Sequence, residues 1–359
     1  MTSRERVLTA MDRRPVDRLP TDYWGTPEMT KMLCSHLGVD DHMELWRKLG
    51  VDKIVGVAPR YIGPDFAQHA GGAWTNPFGY WGVRTREIPY SDGKGVYYDI
   101  CYSPLREMQS IEEIESRYTW PKADWFDFSD VAVRCRAYPE HAVEAGYVSA
   151  LYMYQNIRGV DLALMDFAAD PDLADYILEQ ICGFLYEYHS RLFESARGGI
   201  DITQVTDDFG MQSGLMISPG TFDRFFAGRM KRFIDLAHDA GIRVFHHDDG
   251  AIMDLIPRLV DLGIDVLNPI QWRLPGMDLH RIASFSDRIA FHGGIDNQDV
   301  LPFGTPKDVR DEVATCVETL GRSGTGYVIA PCHNIQPNTP VENVLALYEA
   351  AREYGGAGR

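Results

Sequence analysis

Residues 244–252 read Val-Phe-His-His-Asp-Asp-Gly-Ala-Ile, an apolar run that ends in two histidines, two aspartates and a glycine. His246, His247, Asp248 and Asp249, with Cys332 far along the chain, offer the nitrogen, oxygen and sulfur donors that hold a transition metal. Alternate residues of a strand end share a face, so His247 and Asp249 can point together. Cys332 as third ligand, with a fourth position open, would complete the pattern of a catalytic zinc. His246 and a histidine beside Cys332, His333, are candidate substitutes for Asp249 as ligand. A plainer reading stands beside this one: a histidine bonded to a backbone carbonyl, aspartates that cap a helix beginning near Ala251, and a buried Cys332 thiol.

Other residue pairs suit a binding cleft. Asp207 and Asp208 are adjacent, so in a strand only one faces the site, as general acid/base or substrate anchor, while the other binds a loop amide. Tyr23 and Trp24 can stack on a flat ligand or serve the core. Asn268 and Gln271 are candidate ligand contacts, and so are His292 and Asp296 in HGGIDNQ, where the alternative is a Gly-Gly turn over a packed His292. There is no GxGxxG, Walker loop, GxSxG or HExxH, which removes the usual nucleotide, serine-hydrolase and metalloprotease chemistries.

The elements that must position these residues follow from periodicity. Apolar, β-branched runs recur at 19–24, 53–58, 147–153, 201–206, 242–247, 264–270, 288–293 and 326–331. Between most of them lie helical patterns opened by a small polar cap and a proline: Thr26-Pro27, Asp170-Pro171, Ser218-Pro219, Thr305-Pro306 and Thr339-Pro340. Eight strands alternating with helices predict an α/β protein, a (β/α)8 TIM barrel in one domain over 1–359. An open doubly wound sheet is the alternative. In a barrel the active site lies at the strand C-termini, where Asp22, Tyr23 and Trp24, Asp207 and Asp208, His246 to Asp249, Asn268 and Gln271, His292 and Asp296, and Cys332 to Asn334 all fall. The stretch 59–146 is too long for one crossover. With WGVRTREIP and GVYYDICYSP flanking SDGKG, it reads as an insertion after the second strand that holds a β-hairpin and serves as part of a lid.

Composition narrows the partners. There are 35 Lys plus Arg against 52 Asp plus Glu, a net charge of -17 spread along the chain, which argues against nucleic acid and anionic membranes. The lack of a long apolar run or a secretory signal predicts a cytoplasmic protein without a membrane span. The six cysteines lack CxxC spacing, so reduced thiols are expected.

"TSRERVLTAMDRRPVDRLPTDYWG", "ITQVTDDFGMQSGLMISPGTFDRFF", "HGGIDNQDVLPFGTPKDV" and "YVIAPCHNIQPNTPVENV" resemble the uroporphyrinogen decarboxylase-like superfamily almost end to end. The resemblance implies a (β/α)8 barrel with its cleft at the strand C-termini, and a homodimer. Decarboxylases of that superfamily carry Arg-Gln-Ala-Gly-Arg after the first strand. Here that stretch is Thr21-Asp22-Tyr23-Trp24-Gly25-Thr26, which lacks the arginines that meet a polycarboxylate. The other branch, cobalamin-linked methyltransferases, has a His-x-Cys-Gly turn and a late cysteine that bind zinc. His247-Asp248-Asp249-Gly250 is similar, with Asp249 for the first cysteine, and Cys332 matches the second. A hard oxygen in place of sulfur suits an oxygen-donor substrate better than a thiolate.

The resemblance thus implies a zinc methyltransferase for a small O- or N-methylated substrate, with cobalamin carried by a separate corrinoid protein. His247 and Asp207 or Asp208 would be its catalytic residues, and Tyr23, Trp24, Asn268, Gln271, His292 and Asp296 its substrate contacts. The alternatives are a metal-free decarboxylase, with Arg60, Arg84, Arg86 and Arg158 as the nearest cations, and a non-catalytic corrinoid or small-ligand binding protein.

Overall fold

Short β-branched runs place the sheet, and small polar caps place the helices around it. The computed structural model describes residues 1–64, 79–90, 93, 95–322 and 324–356. Seven strands pair in parallel in chain order: Val55–Gly56, Val143–Val148, Ile202–Val205, Arg243–His247, Val266–Asn268, Ala290–Ile295 and Tyr327–Pro331. The first predicted strand, 19–24, lies between the last and first of these but forms no ladder. It makes one parallel bridge, Thr21 to Ile329, and on its other side Asp52 N donates to Thr21 O. Ile54 N turns to the Asp22 carboxylate instead of a main-chain carbonyl. The curled sheet therefore closes as a (β/α)8 barrel partly through a side chain.

The third predicted strand needs correction. The strand is Val143–Val148, and Ala150–Arg158 is a helix. YVSALYM has strand-like residues, but the Asp207 carboxylate takes the amides of Leu151 and Tyr152 and turns this stretch into a helix start. Four of the five cap-proline pairs behave as expected, with Thr26, Asp170, Ser218 and Thr305 each accepting an amide three residues on. The fifth helix starts one residue later than read, at Val341, with Pro340 at its cap.

Alternation along the strands separates two cores. Val7, Met11, Ile54, Ala142, Ile202, Phe245, Val266 and Ala290 fill the barrel interior, with Val7 and Met11 supplied by helix Ser3–Met11. The larger core lies between sheet and helices. Each buried Phe, Leu or Ile there contributes about 1.5–3 kcal/mol relative to exposure, enough to hold the strand ends that carry the site.

Within the insertion, Arg84–Tyr90 pairs antiparallel with Gly95–Tyr102, as the hairpin reading expects. Ser91, Asp92 and Lys94 of its turn, and 65–78, lie outside the described residues. The insertion ends before Val143, since that residue already belongs to the sheet. Tyr90 Oη donates to Gln336 Oε1 at 2.7 Å and ties the hairpin to the loop after the last strand. All six thiols are free. No helix among the described residues is long and apolar enough to cross a membrane.

Candidate metal centre at the barrel mouth

The strand Arg243–His247 sends its neighbouring histidines to opposite faces. His247 reaches the mouth, where its Nε2 lies 3.7 Å from Asp249 Oδ2 and 3.9 Å from Asp208 Oδ1. His333, from the loop after the last strand, brings its Nε2 to 3.8 Å from the same Asp249 oxygen. Donor atoms of His247, Asp249 and His333 all fall within 4.8 Å of one another. These separations are too long for hydrogen bonds. Two ligands of one tetrahedral zinc at about 2.1 Å stand roughly 3.4 Å apart, so the triad is a slightly open version of that arrangement. Asp249 Oδ1 is buried with no hydrogen-bond partner among the described residues, an oxygen left for a cation.

A directed hydrogen-bond chain prepares His247. Asn268 Nδ2 donates to His292 Nδ1 at 2.8 Å and to the His292 carbonyl, which leaves Asn268 Oδ1 to accept from His247 Nδ1 at 2.6 Å. His292 Nε2 then faces Asp22 Oδ2 at 3.2 Å. This network assigns the proton of neutral His247 to Nδ1 and presents the Nε2 lone pair to the mouth, as outer-shell partners of metal-binding histidines do. Burial disfavours the cationic ring, but the facing carboxylates of Asp249 and Asp208 outweigh it and raise the His247 pKa to about 9. Those charges would equally favour a metal ion in the proton's place. Burial alone would raise the Asp249 carboxyl, yet His247 and His333 hold it below its ordinary value. Burial lowers His333.

Asp22 anchors the far end of the chain. It is fully buried and accepts from Trp24 Nε1 at 2.8 Å, Lys53 Nζ at 3.1 Å and Tyr23 N. Burial acts to raise it, but Lys53 and His292 pull it below the usual carboxylate range. Trp24 packs against the rings of His247, 5.9 Å away, and His292, 5.4 Å away, over the interior core, as part of the floor of the mouth.

The remaining predicted residues sort by strand parity. Asp208 is at the mouth, where its Oδ1 accepts from Asp249 N at 3.0 Å. Asp207 points away, bound by Ser149 Oγ, Tyr152 N and Leu151 N. Burial pushes its carboxyl up to about 7 against those bonds. It is a helix cap and not a mouth residue. His246 faces the helices, with Nδ1 on the Val205 carbonyl and its pKa lowered by burial to about 4, so it cannot substitute in the triad. Asp248 shares that face and accepts the amides of Phe209 and Gly210, not those of a helix near Ala251. Burial holds its carboxyl well above the ordinary value.

Cys332 also lies outside the triad. Its amide continues the ladder to Ile295 O, and its Sγ is buried 3.6 Å from Ile270 O. Burial keeps this thiol well above its ordinary pKa. His333, one residue on, takes the inward position, beside Asp249 rather than in its place.

The predicted contacts are similarly redistributed. Tyr23 points to the helices, with its hydroxyl on Thr30 Oγ1 and its ring against Tyr348. Asn268 and His292 are fully buried and position His247 instead of meeting solvent. Asp296 caps helix Val300–Phe303 through the amides of Asp299 and Val300. Its other surroundings, with Gln271 and Cys332, line a small hollow of about 60 Å³ at the rim. Gln271 Oε1 accepts Gly250 N at 2.5 Å and so holds the turn after Asp249.

That turn depends on glycine. Gly250 has φ +105°, and a Cβ there would stand 2.5 Å from the backbone carbon of Gly210. Only glycine lets the Asp249 turn pack on the Asp208 turn.

Sequence reading overlooked Lys53, Glu144 and Gln204, which line the interior beneath the mouth. The signal was present: a lone glutamate in the run Ala-Val-Glu-Ala, at 142–145.

Comparison with known proteins agrees with the architecture. The chain is 24% identical over 281 residues to uroporphyrinogen decarboxylase of Prochlorococcus marinus (strain MIT 9303), covering 72% of this chain and 74% of that one. It is 24% identical over 191 residues to that of Photobacterium profundum, 52% of this chain and 50% of the relative. A methyltransferase from Methanosarcina mazei superposes with a TM-score of 0.67 at 18% identity, covering 99% of each chain, which shows a shared fold. Residues 142–354, more than half of the chain, match the uroporphyrinogen decarboxylase (URO-D) family, and on that ground this chain belongs to it.

Proposed function

We propose that this member of the family is a methyltransferase that moves a methyl group between a small O- or N-methylated substrate and a corrinoid carried by a partner protein. The observation that carries the reading is the two-histidine, one-carboxylate triad of His247, Asp249 and His333 at the mouth. These residues would hold zinc, which when bound would supply Lewis acidity toward the oxygen or nitrogen that loses its methyl. A donor set without thiolate favours hard substrate atoms over sulfur. Asn268 fixes the His247 ring, Asp208 holds the Asp249 backbone and presents its free edge to the substrate, and Trp24 floors the cleft. The barrel shared with the methyltransferase from Methanosarcina mazei supports this choice.

A second reading has the names of the sequence relatives in its favour: decarboxylation of a carboxylated substrate. That chemistry calls for free cations. Arg60 is paired with Asp127, Arg86 with Asp99 and the buried Arg158 with Asp166, while Arg84 lies over the Tyr102 ring. Three of the four are thus already committed to a carboxylate of this chain.

The test is metal content by elemental analysis of untagged protein purified without chelator. One zinc per chain is expected, lost in His247→Ala and His333→Ala and kept in Cys332→Ala. Zinc-free wild type, even after zinc addition, would overturn the reading.

A further inference from the structure

Ala142 and Ile202 belong to the barrel's interior cluster, and two residues further along each strand Glu144 and Gln204 take the same face. Gln204 Nε2 donates to Glu144 Oε1 at 2.9 Å, the sole hydrogen bond found for this carboxyl among the described residues. Glu144 has no ion pair there either. Lys53, the nearest candidate, is held at φ +32°, an uncommon backbone for a lysine, with its ammonium committed to Asp22. A half-buried carboxyl with only a neutral amide for company is therefore biased toward its protonated form.

The space beside it is open. Glu144 pairs in register with Gly56, which adds no side chain, and nothing lies within 4 Å of where a Gly56 Cβ would stand. The groups whose charges reach Glu144 are Lys53 and His247, which favour its ionised form, and Asp22, which opposes it. Burial outweighs the cations and brings its pKa to about 7, so the proton is both held and transferable near neutrality.

We propose that Glu144 is the proton donor of the barrel mouth, serving the substrate atom that loses its methyl group. The inference rests on the methyltransferase reading above. For an O-methyl substrate, the carbon–oxygen bond breaks with its electron pair left on oxygen, and that oxygen takes the Glu144 proton to leave as an alcohol or phenol. The methyl passes as a cation equivalent to the reduced corrinoid cobalt, which supplies the electron pair of the new bond and is formally oxidised by two electrons. Glu144 is left ionised and recovers a proton from solvent. The leaving atom thus departs neutral, which matters most for basic leaving groups.

The experiment compares wild type with Glu144→Gln, which keeps the shape and the Gln204 contact but carries no acidic proton. Zinc-loaded protein is given free cob(I)alamin and a series of aryl methyl ethers, from methoxybenzene to 4-nitromethoxybenzene. The expected result is a loss of about 100-fold or more for methoxybenzene, in the range of general acid catalysis, and under about threefold for the nitro compound. Zinc content and unfolding midpoint should match wild type, and the wild-type fall in kcat for methoxybenzene as pH rises through neutrality should vanish.

A readout free of turnover is the infrared spectrum. A protonated-carboxyl band absent from Glu144→Gln should fade as pH rises through neutrality. Equal loss across the series, no loss at all, or a carboxyl already ionised at about pH 5 would overturn the role of Glu144. No transfer to cobalamin by zinc-loaded wild type would overturn the methyltransferase reading itself, a different and distinguishable failure.

Discussion

The two faces of the strand Arg243–His247 put the same residue types in opposite conditions. On the mouth face, His247 and Asp249 stand apart at 3.7 Å, with an unpartnered carboxylate oxygen and the ring aimed by Asn268. On the helix face, His246 and Asp248 are sealed from water, 3.6 Å apart; His246 Nδ1 and Asp248 Oδ1 are given to main-chain partners at Val205, Phe209 and Gly210, while His246 Nε2 and Asp248 Oδ2 are likewise unpartnered among the described residues but have no open approach. The difference teaches that neighbouring donors in a sequence are not equivalent ligands. Orientation by a buried partner, together with an open approach, makes one face a site, whereas burial against backbone makes the other a strut.

The sharpest way to break this contrast is Gly250→Ala. A left-handed φ and a backbone clash act together, so stability should fall by at least about 2 kcal/mol, and zinc binding should go with it. Chemical denaturation and zinc titration would show both. If the variant binds zinc normally, close packing of the two turns is not what shapes the triad.

Asn268→Ala and His246→Ala should separate the two faces. Losing the Asn268 carbonyl frees the His247 ring, and zinc affinity should drop about 10- to 100-fold. His246→Ala should leave zinc affinity unchanged and cost about 1–3 kcal/mol of stability by stranding buried polar groups. Competition with a chelating dye reads the first effect, and urea unfolding the second.

The two histidines should also respond to pH with opposite sign in the metal-free protein. The folded pKa of His247 is raised to about 9, so its contribution is complete below its unfolded value near 6.5 and is lost as pH climbs to about 9. The folded pKa of His246 is lowered to about 4, so its contribution is complete above about 6.5 and is lost as pH falls toward 4. Histidine proton resonances followed against pH, assigned with single alanine variants, would check both directions. The smallest effect is expected from Tyr90→Phe, which removes one hydrogen bond to Gln336. It should cost no more than about 1 kcal/mol and leave zinc in place; a large loss of zinc would mean that the hairpin helps hold the His333 loop.

Much of the barrel was legible in the sequence because strand and helix signals are local. Six of eight predicted strands, four cap-proline starts and the hairpin follow from periodicity, capping and turn residues, while 19–24 runs beside the sheet with a single bridge. The exception at 147–153 is instructive, since a helix start was imposed there by Asp207, a residue distant in sequence. The clustering of polar residues at strand ends was equally legible, and so was the pairing of His247 with Asp249, which depends only on alternation.

By itself, then, the sequence determined the alternating architecture and the donor types available at the mouth. The choice among donors required the tertiary structure. His333 and not Cys332 joins the triad because the ladder to Ile295 carries Cys332 into the sheet. Asp208 and not Asp207 faces the cleft because Asp207 is taken by a helix start, and Glu144 meets Gln204 only once two strands are in register. Side-chain direction at a strand end depends on which neighbours satisfy the backbone, and those neighbours lie tens to hundreds of residues away.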